Sequence, residues 1–374
     1  MKKLHIKFIV IIIAFILTCI IYNCCIYKIN EYFSNMINKK WIIRDNCMYI
    51  IPETLKTILN EIVKFKKTIY IPCTYENINL EYDTFEVDKN GIYFLIDEIN
   101  LMIAKEYLYK YVREEYGIDK TLTLLPKSWI IFDEKDKFIE EYDPKKIYII
   151  KKNIQRQNGI IISRDLTEIR NLIENQPTNN YKYIVIQELL QDPYLIDGRK
   201  INLRVYVLVT KIGDVSHIYV YGDGFMYYTA EKFKYNSDDP KVNITTGYID
   251  RQVYAVNPLT HEDFKEYLTK KHGINKSKLV FDNINNTVKD VFSAFLHRIG
   301  NSPKLLNNLK FQLFGVDVAI DDKFGAKIME INKGPDLGAK DKRDSLLKHN
   351  LVRNIFDIVG LADMNIENKF IKLL

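Results

Sequence analysis

The sequence predicts a mixed protein of the α+β or α/β class. Three observations carry that expectation. Strand-like apolar runs and amphipathic helical stretches interleave along the chain, with no internal repeat and no low-complexity tract. Apolar residues make up 47% and aromatics 13% of 374 residues, enough for packed cores and too much for a disordered or fibrous chain. The stretch FGVDVAIDDKFGAKIMEINKG, residues 314–334, reads as a β-hairpin, two strand-forming runs around the turn residues DDKFG. A formal charge of +6 permits an acidic partner without requiring one. No block of Lys and Arg with interleaved aromatics marks a nucleic-acid surface, so nucleic acid is not expected as a partner.

Taken in order, residues 1–30 are assigned to a single-pass N-terminal anchor. FIVIIIAFILTCIIYNCCIY, residues 8–27, carries no charge, is flanked by Lys2, Lys3, Lys7 and Lys28, and has about the 20 residues of a spanning helix. No small-x-small cleavage site follows it, which favours an anchor over a signal peptide. Cys19, Cys24 and Cys25 lie in or beside this run. Cys47 and Cys73 show no metal-type spacing and no disulfide framework, which points to a reducing compartment. Residues 31–125 read as a small mixed domain whose helical patch, NLMIAKEYLYKYVREEYG, ends at Gly117. Pro126 opens a segment, 126–195, with strand candidates PKSWIIFD, IYIIKKNI, GIIIS and YKYIVIQELL. Residues 196–374 hold the longest strand-rich region, a charged helical stretch, the hairpin, and DSLLKHNLVRNIFDIVG, apolar at helical spacing and stopping at Gly360.

Chemistry concentrates in the second half. With the hairpin turn at Asp322–Gly325, Asp317 stands opposite Glu330, and Asn332 shares their face. Opposed residues have Cβ atoms about 4.5–5.5 Å apart. Two carboxylates that close repel, and a hard cation removes the conflict. Ligation by Asp, Glu and Asn oxygens suits Mg²⁺ shared with nucleotide phosphates. In DGRKINLRVYVLV, residues 197–209, Ile201, Leu203, Val205, Val207 and Val209 fall on one strand face and Lys200, Asn202 and Arg204 on the other. The two cations lie one pleat apart, about 6–7 Å, a spacing that a polyphosphate satisfies. YIIKKNIQRQNGIIIS, residues 148–163, adds Lys151, Lys152 and Arg156 around a loop with Gly159, suited to closing over phosphates. IVIQELL ends on Gln187 and Glu188, a hinge able to offer backbone groups and a carboxylate to a nucleoside. None of the six histidines has catalytic or metal-ligand spacing.

A lysine loop, a hinge, a basic strand and a carboxylate hairpin ending in E-x-N follow one another as in an ATP-grasp ligase. On IQELLQDPYLIDGRKINLRVYVLV, YGDGFMYYTAEKF, NITTGYI, FGVDVAI and MEINKGPDL, the chain resembles the tubulin–tyrosine ligase-like family of amino-acid ligases over roughly residues 90–360. The resemblance implies an ATP-grasp fold, with nucleotide held between two α+β subdomains, residues 126–195 and 196–374. It implies that Lys151 and, more loosely, Lys105 contact the nucleotide, that Gln187, Glu188 and Leu189 receive adenine, and that Lys200 and Arg204 handle phosphate and the reacting carboxylate. It implies Asp317, Glu330 and Asn332 as magnesium ligands. Three positions depart from the family pattern: Asn202 stands in place of an Asp, Tyr227 in place of an Arg and Thr246 in place of an Asn.

The expected function is therefore an ATP- and Mg²⁺-dependent ligase that adds tyrosine, glutamate or glycine to a protein acceptor, tubulin foremost, through an acyl phosphate. Lys200, Arg204 and Glu330 carry the chemistry, and Lys105, Lys151, Gln187, Glu188, Leu189, Lys200 and Asn202 bind the nucleotide. The departures at Asn202 and Tyr227 leave an alternative, a membrane-tethered pseudoenzyme that binds tubulin or another acidic tail. With ATP and tubulin in the cytosol, the catalytic domain is expected to face it from the membrane that holds the anchor.

Overall fold

The computed structural model describes residues 41–43, 47, 52–74, 78–153, 159–177, 181–247 and 249–374. The chain divides into Met1–Ile42 and Ile43–Leu374. Trp41–Ile42 of the first unit is extended; the second unit holds every other described element. The expected anchor at residues 8–27 lies outside the described residues, as does Arg156. Among the described residues no helix is long and apolar enough to cross a membrane.

The fold is mixed α+β, built on two sheets. Helix α1 (Lys105–Leu124) leads into the smaller sheet and is interrupted at Gly117, whose φ of 75° breaks the helical run. The expected end at Gly117 is thus a kink, and helix resumes beyond it. Strand β1 (Ser128–Ile130) is followed at once by helix α2 (Ile131–Glu141). PKSWIIFD was expected to be strand throughout. It turns helical after Ile130 because the Glu134 carboxylate accepts from the Ile130 amide, and Asp133 and Glu134 place negative charge in the first turn. Strands β2 (Tyr148–Lys152) and β3 (Ile160–Ser163), helix α3 (Leu166–Glu174) and strand β4 (Tyr183–Glu188) complete this layer. The sheet order is β1-β4-β2-β3, all antiparallel. Trp129, Phe138, Tyr148, Ile150, Ile169, Ile173 and Ile186 form its core against α2 and α3. The alternate positions Ile149, Lys151 and Gln187 consequently face away from that core.

The larger sheet centres on β5 (Arg199–Ile212), flanked by β6 (Val215–Thr229) and β7 (Leu309–Ile320). β8 (Ala326–Lys333) closes the hairpin on β7. Strands Ile69–Tyr70 and Ile92–Tyr93 extend this sheet in parallel register beside the start of β7. Residues 69–93 thus contribute an edge of the larger sheet, since two-residue strands need a partner sheet to persist. The alternation in β5 behaves as expected: Ile201, Leu203, Val205, Val207 and Val209 are all buried. They meet helices α4 (His261–His272) and α5 (Ile274–Ser293) through Phe264, Leu268, Val280, Ile284, Val288, Val291 and Phe292. Each such aliphatic burial contributes about 1.5–3 kcal/mol. Helix α4 begins with a reciprocal capping box between Thr260 and Asp263. Helix α6 (Lys342–Ile358) ends just before Gly360, whose φ of 67° stops it as expected.

Cys47 and Cys73 form a disulfide, with Cα atoms 5.5 Å apart. This corrects the expectation of no disulfide. The two cysteines are 26 residues apart with no motif between them, so only the fold brings them together.

Candidate active site

The carboxylate hairpin forms in the expected register, by an unexpected route. Ile320 pairs with Ala326, Ala319 with Lys327 and Val318 with Ile328 around a loop, Asp321–Gly325, one residue longer than the expected turn. The Asp321 carboxylate accepts from the amides of Lys323 and Gly325 and fixes that loop. A bulge at Met329 then absorbs the extra residue, so that Asp317 faces Glu330 and Gly315 faces Asn332.

On its other side Asp317 faces Arg204 directly across β5 and β7. Arg204 Nε donates to Asp317 Oδ1 at 2.7 Å and Nη2 to Oδ2 at 3.2 Å, a two-point pair. Burial works against the Arg204 charge, but Asp317 outweighs it and holds the guanidinium above its ordinary pKa. Burial raises the Asp317 pKa, Arg204 pulls it back, and the Glu330 carboxylate raises it further. Glu330 itself lies 3.4 Å from Lys105 Nζ.

Lys151 reaches the same place from the smaller sheet. Its Nζ donates to Gln187 Oε1 at 2.7 Å, and Gln187 Nε2 donates to Ser128 Oγ at 3.0 Å. Burial pushes the Lys151 ammonium down to about 8, against the pull of Glu330 and Asp317. Lys105, Lys151, Gln187 and Glu330 line a small cavity of about 20 Å³ between the two sheets, room for roughly one water. Arg204, Tyr227, Thr246, Asp317, Glu330 and Asn332 line a separate open cleft of about 860 Å³. Glu330 belongs to both.

The remaining expected residues sit further out. The Glu188 amide donates to Lys127 O and the Leu189 amide to Ile147 O, so both hinge N–H groups are engaged within the smaller sheet. The Glu188 side chain pairs with Lys146 at 2.7 Å, and Leu189 is buried beside Ile147 and Ile149. Lys200 Nζ donates to Leu190 O at 2.8 Å, at the exit of the hinge, and burial lowers it to about 8 despite Asp192. Asn202 lies on β5 opposite Tyr227 and Ala319.

Several cleft residues escaped the sequence reading. Arg251 pairs with Asp341, Lys340 Nζ donates to Gly247 O, and the buried Lys348 pairs with Asp344 at 2.9 Å. The last pair, four residues apart on α6, carries the one local signal that marked any of them. Among the described residues no three His, Cys, Asp or Glu side chains converge on a metal-sized point. Two half-buried carboxylates opposite one another, with the half-buried amide of Asn332 two residues along the same strand, fit a hard cation that fills its other positions with water and phosphate oxygens.

A family model described as the tubulin-tyrosine ligase family matches residues 93–367. A protein named probable tubulin polyglutamylase ttll-9, from Caenorhabditis elegans, is 26% identical over 267 residues, covering 69% of this chain and 63% of that protein. Probable tubulin polyglutamylase TTLL9 of Rattus norvegicus is 31% identical over 193 residues, covering 50% of this chain and 40% of that protein. Probable alpha-tubulin polyglutamylase Ttll1 of Tetrahymena thermophila is 25% identical over 270 residues, with coverages of 68% and 64%. The chain thus spans less than two thirds of the length of these relatives. With most of its two-sheet unit matched, and with the carboxylate hairpin and the basic strand inside the match, the chain belongs to the tubulin-tyrosine ligase family.

Proposed function

We propose that the chain is an ATP-dependent ligase that joins the amino group of glutamate to a carboxylate of tubulin. The observation that carries this reading is the double placement of Glu330, in the small cavity with Lys105, Lys151 and Gln187 and in the large cleft with Arg204 and Asp317. One carboxylate thereby adjoins both a lysine-lined place for phosphates and a cleft wide enough for an acceptor tail. The names of the relatives, polyglutamylases of tubulin, support glutamate and tubulin as the substrates.

In the proposed reaction an acceptor carboxylate oxygen attacks the γ-phosphorus of ATP and ADP leaves. The amino nitrogen of glutamate then attacks the acyl carbon, phosphate departs with that carboxylate oxygen, and the nitrogen loses a proton. Lys151 and Lys105 hold phosphate charge, Gln187 meets the base side, Lys200 guards the hinge exit, and Arg204 orients the reacting carboxylate. Asp317, Glu330 and Asn332 would hold Mg²⁺, which neutralises charge on the transferring phosphoryl group.

The apolar run at residues 8–27 would tether the enzyme to a membrane. Tubulin and ATP as substrates favour a cytosolic catalytic domain, whereas a Cys47–Cys73 disulfide favours an oxidising compartment. Protease protection on sealed membranes decides between the two sides. The function itself is tested by incubating the full chain with tubulin, ATP, Mg²⁺ and a mixture of amino acids, then weighing the tubulin chains intact. ATP-dependent increments of one glutamyl residue are expected. Increments of tyrosine or glycine would overturn the choice of amino acid, and no increment would overturn the ligase reading.

A further inference from the structure

We propose that Tyr227 is a positioning residue for Arg204, pinning its guanidinium against Asp317 in one orientation at the wall of the cleft. Tyr227 lies on β6 as the diagonal neighbour of Arg204, which is itself opposite Phe225. The guanidinium carbon stands 5.1 Å from the Tyr227 ring centroid, within the range of a cation–π contact. The ring is backed by Gly247, where an added Cβ would come within 2.8 Å of the ring carbon Cε1. Gly315 does the same for the far edge of Arg204, since a Cβ there would lie 2.8 Å from Nη1. Asp317 holds the remaining edge through Nε and Nη2. The guanidinium is thus fixed by a ring on its face, a carboxylate on one edge and a glycine on the other. No hydrogen bond joins the Tyr227 hydroxyl to any described residue, and the side chain lines the cleft. The ring, more than the hydroxyl, therefore sets the orientation in which Arg204 meets an anionic group.

The kinetic part of the test rests on the ligase reading, and a second readout does not. In the full chain, Tyr227→Phe keeps the ring, Tyr227→Leu removes it, and Tyr227→Arg sets a second cation beside Arg204. The Arg204 Nε–H resonance, assigned by its loss in Arg204→Lys, reports directly on the clamp. Slow exchange with water is expected in the parent and in Tyr227→Phe, and fast exchange in Tyr227→Leu. With tubulin as acceptor, kcat is expected to fall about tenfold in Tyr227→Leu, to stay near the parent in Tyr227→Phe, and to fall in Tyr227→Arg through like-charge repulsion. An Nε–H as protected in Tyr227→Leu as in the parent overturns the proposal, and so does a Tyr227→Arg enzyme faster than the parent. If the exchange pattern holds while the parent transfers no amino acid, the positioning role stands and the ligase reading fails.

Discussion

Strands β5 and β7 bring buried charges face to face at two places, and the two differ in what surrounds them. Near one end Lys211 stands directly opposite Lys310, both buried. Lys211 Nζ donates to Leu296 O, Ile299 O and Asn301 Oδ1, and Lys310 Nζ donates to Gly300 O and stands 3.7 Å from Asp97. Burial lowers the pKa of both lysines, and the carbonyls of the turn after α5 accept hydrogen bonds from their ammonium groups. In the middle of the same strands Arg204 faces Asp317, and there the charges open onto a cleft with Glu330 and Asn332 beside them. The first cluster is closed and holds the fold together. The second leaves oxygen atoms facing space. Buried charge alone does not mark a site; buried charge that borders a cavity does.

Substitutions at the two places, taken in order of falling effect, put that contrast to the test. Glu330→Gln should lower ligation by on the order of 10²–10³-fold, because charge compensation at the transferring phosphoryl group is lost. Its thermal midpoint should stay within about 2 °C of the parent, since the side chain borders a cleft. Wild-type turnover in that variant would sink the assignment of the hairpin. Next comes pH. Lys151 and Lys200 are held near 8, below the 10.5 of a free lysine. kcat/KM for ATP should therefore fall as pH rises through about 8. Stability should move the other way between about 8 and 10.5, because the unfolded chain keeps those protons longer than the folded one. Parallel pH profiles for activity and unfolding would contradict the buried placement of both lysines.

At the closed cluster the expectation reverses. Lys310→Met strands Asp97 and Gly300 O and should destabilise the fold by about 2–4 kcal/mol in denaturant titrations. The folded fraction should keep its kcat. A loss of kcat with unchanged stability would mean that this cluster, too, serves the reaction. His217 lies on β6 against Tyr219 and opposite Thr210, far along the sheet from Arg204, and His217→Ala should leave ligation within about twofold of the parent.

Much of the site was legible because strands have a period of two. Alternation placed Arg204 and the apolar core on opposite faces of β5, and the turn residues placed Asp317 across from Glu330. Even there the bulge at Met329 had to cancel a loop one residue longer than expected. What stayed hidden depends on contacts with no fixed spacing in the chain. Arg251 meets Asp341, Lys340 meets Gly247, Cys47 meets Cys73, and Lys310 meets Gly300 only once the fold exists. At the hinge, register with β1 and β2 turns Gln187 towards Lys151, while the amides of Glu188 and Leu189 pair with Lys127 O and Ile147 O.

The proposed reaction turns on one step, phosphorylation of an acceptor carboxylate beside Glu330 before the amino acid is joined. Acceptor carboxylates labelled with oxygen-18 report on that step, with the full chain, ATP, Mg²⁺ and glutamate. The phosphate released should carry one labelled oxygen for each bond formed, and Glu330→Gln should release none. Ligation that yields only unlabelled phosphate would contradict the acyl-phosphate route, and phosphate released without any ligation would contradict the function.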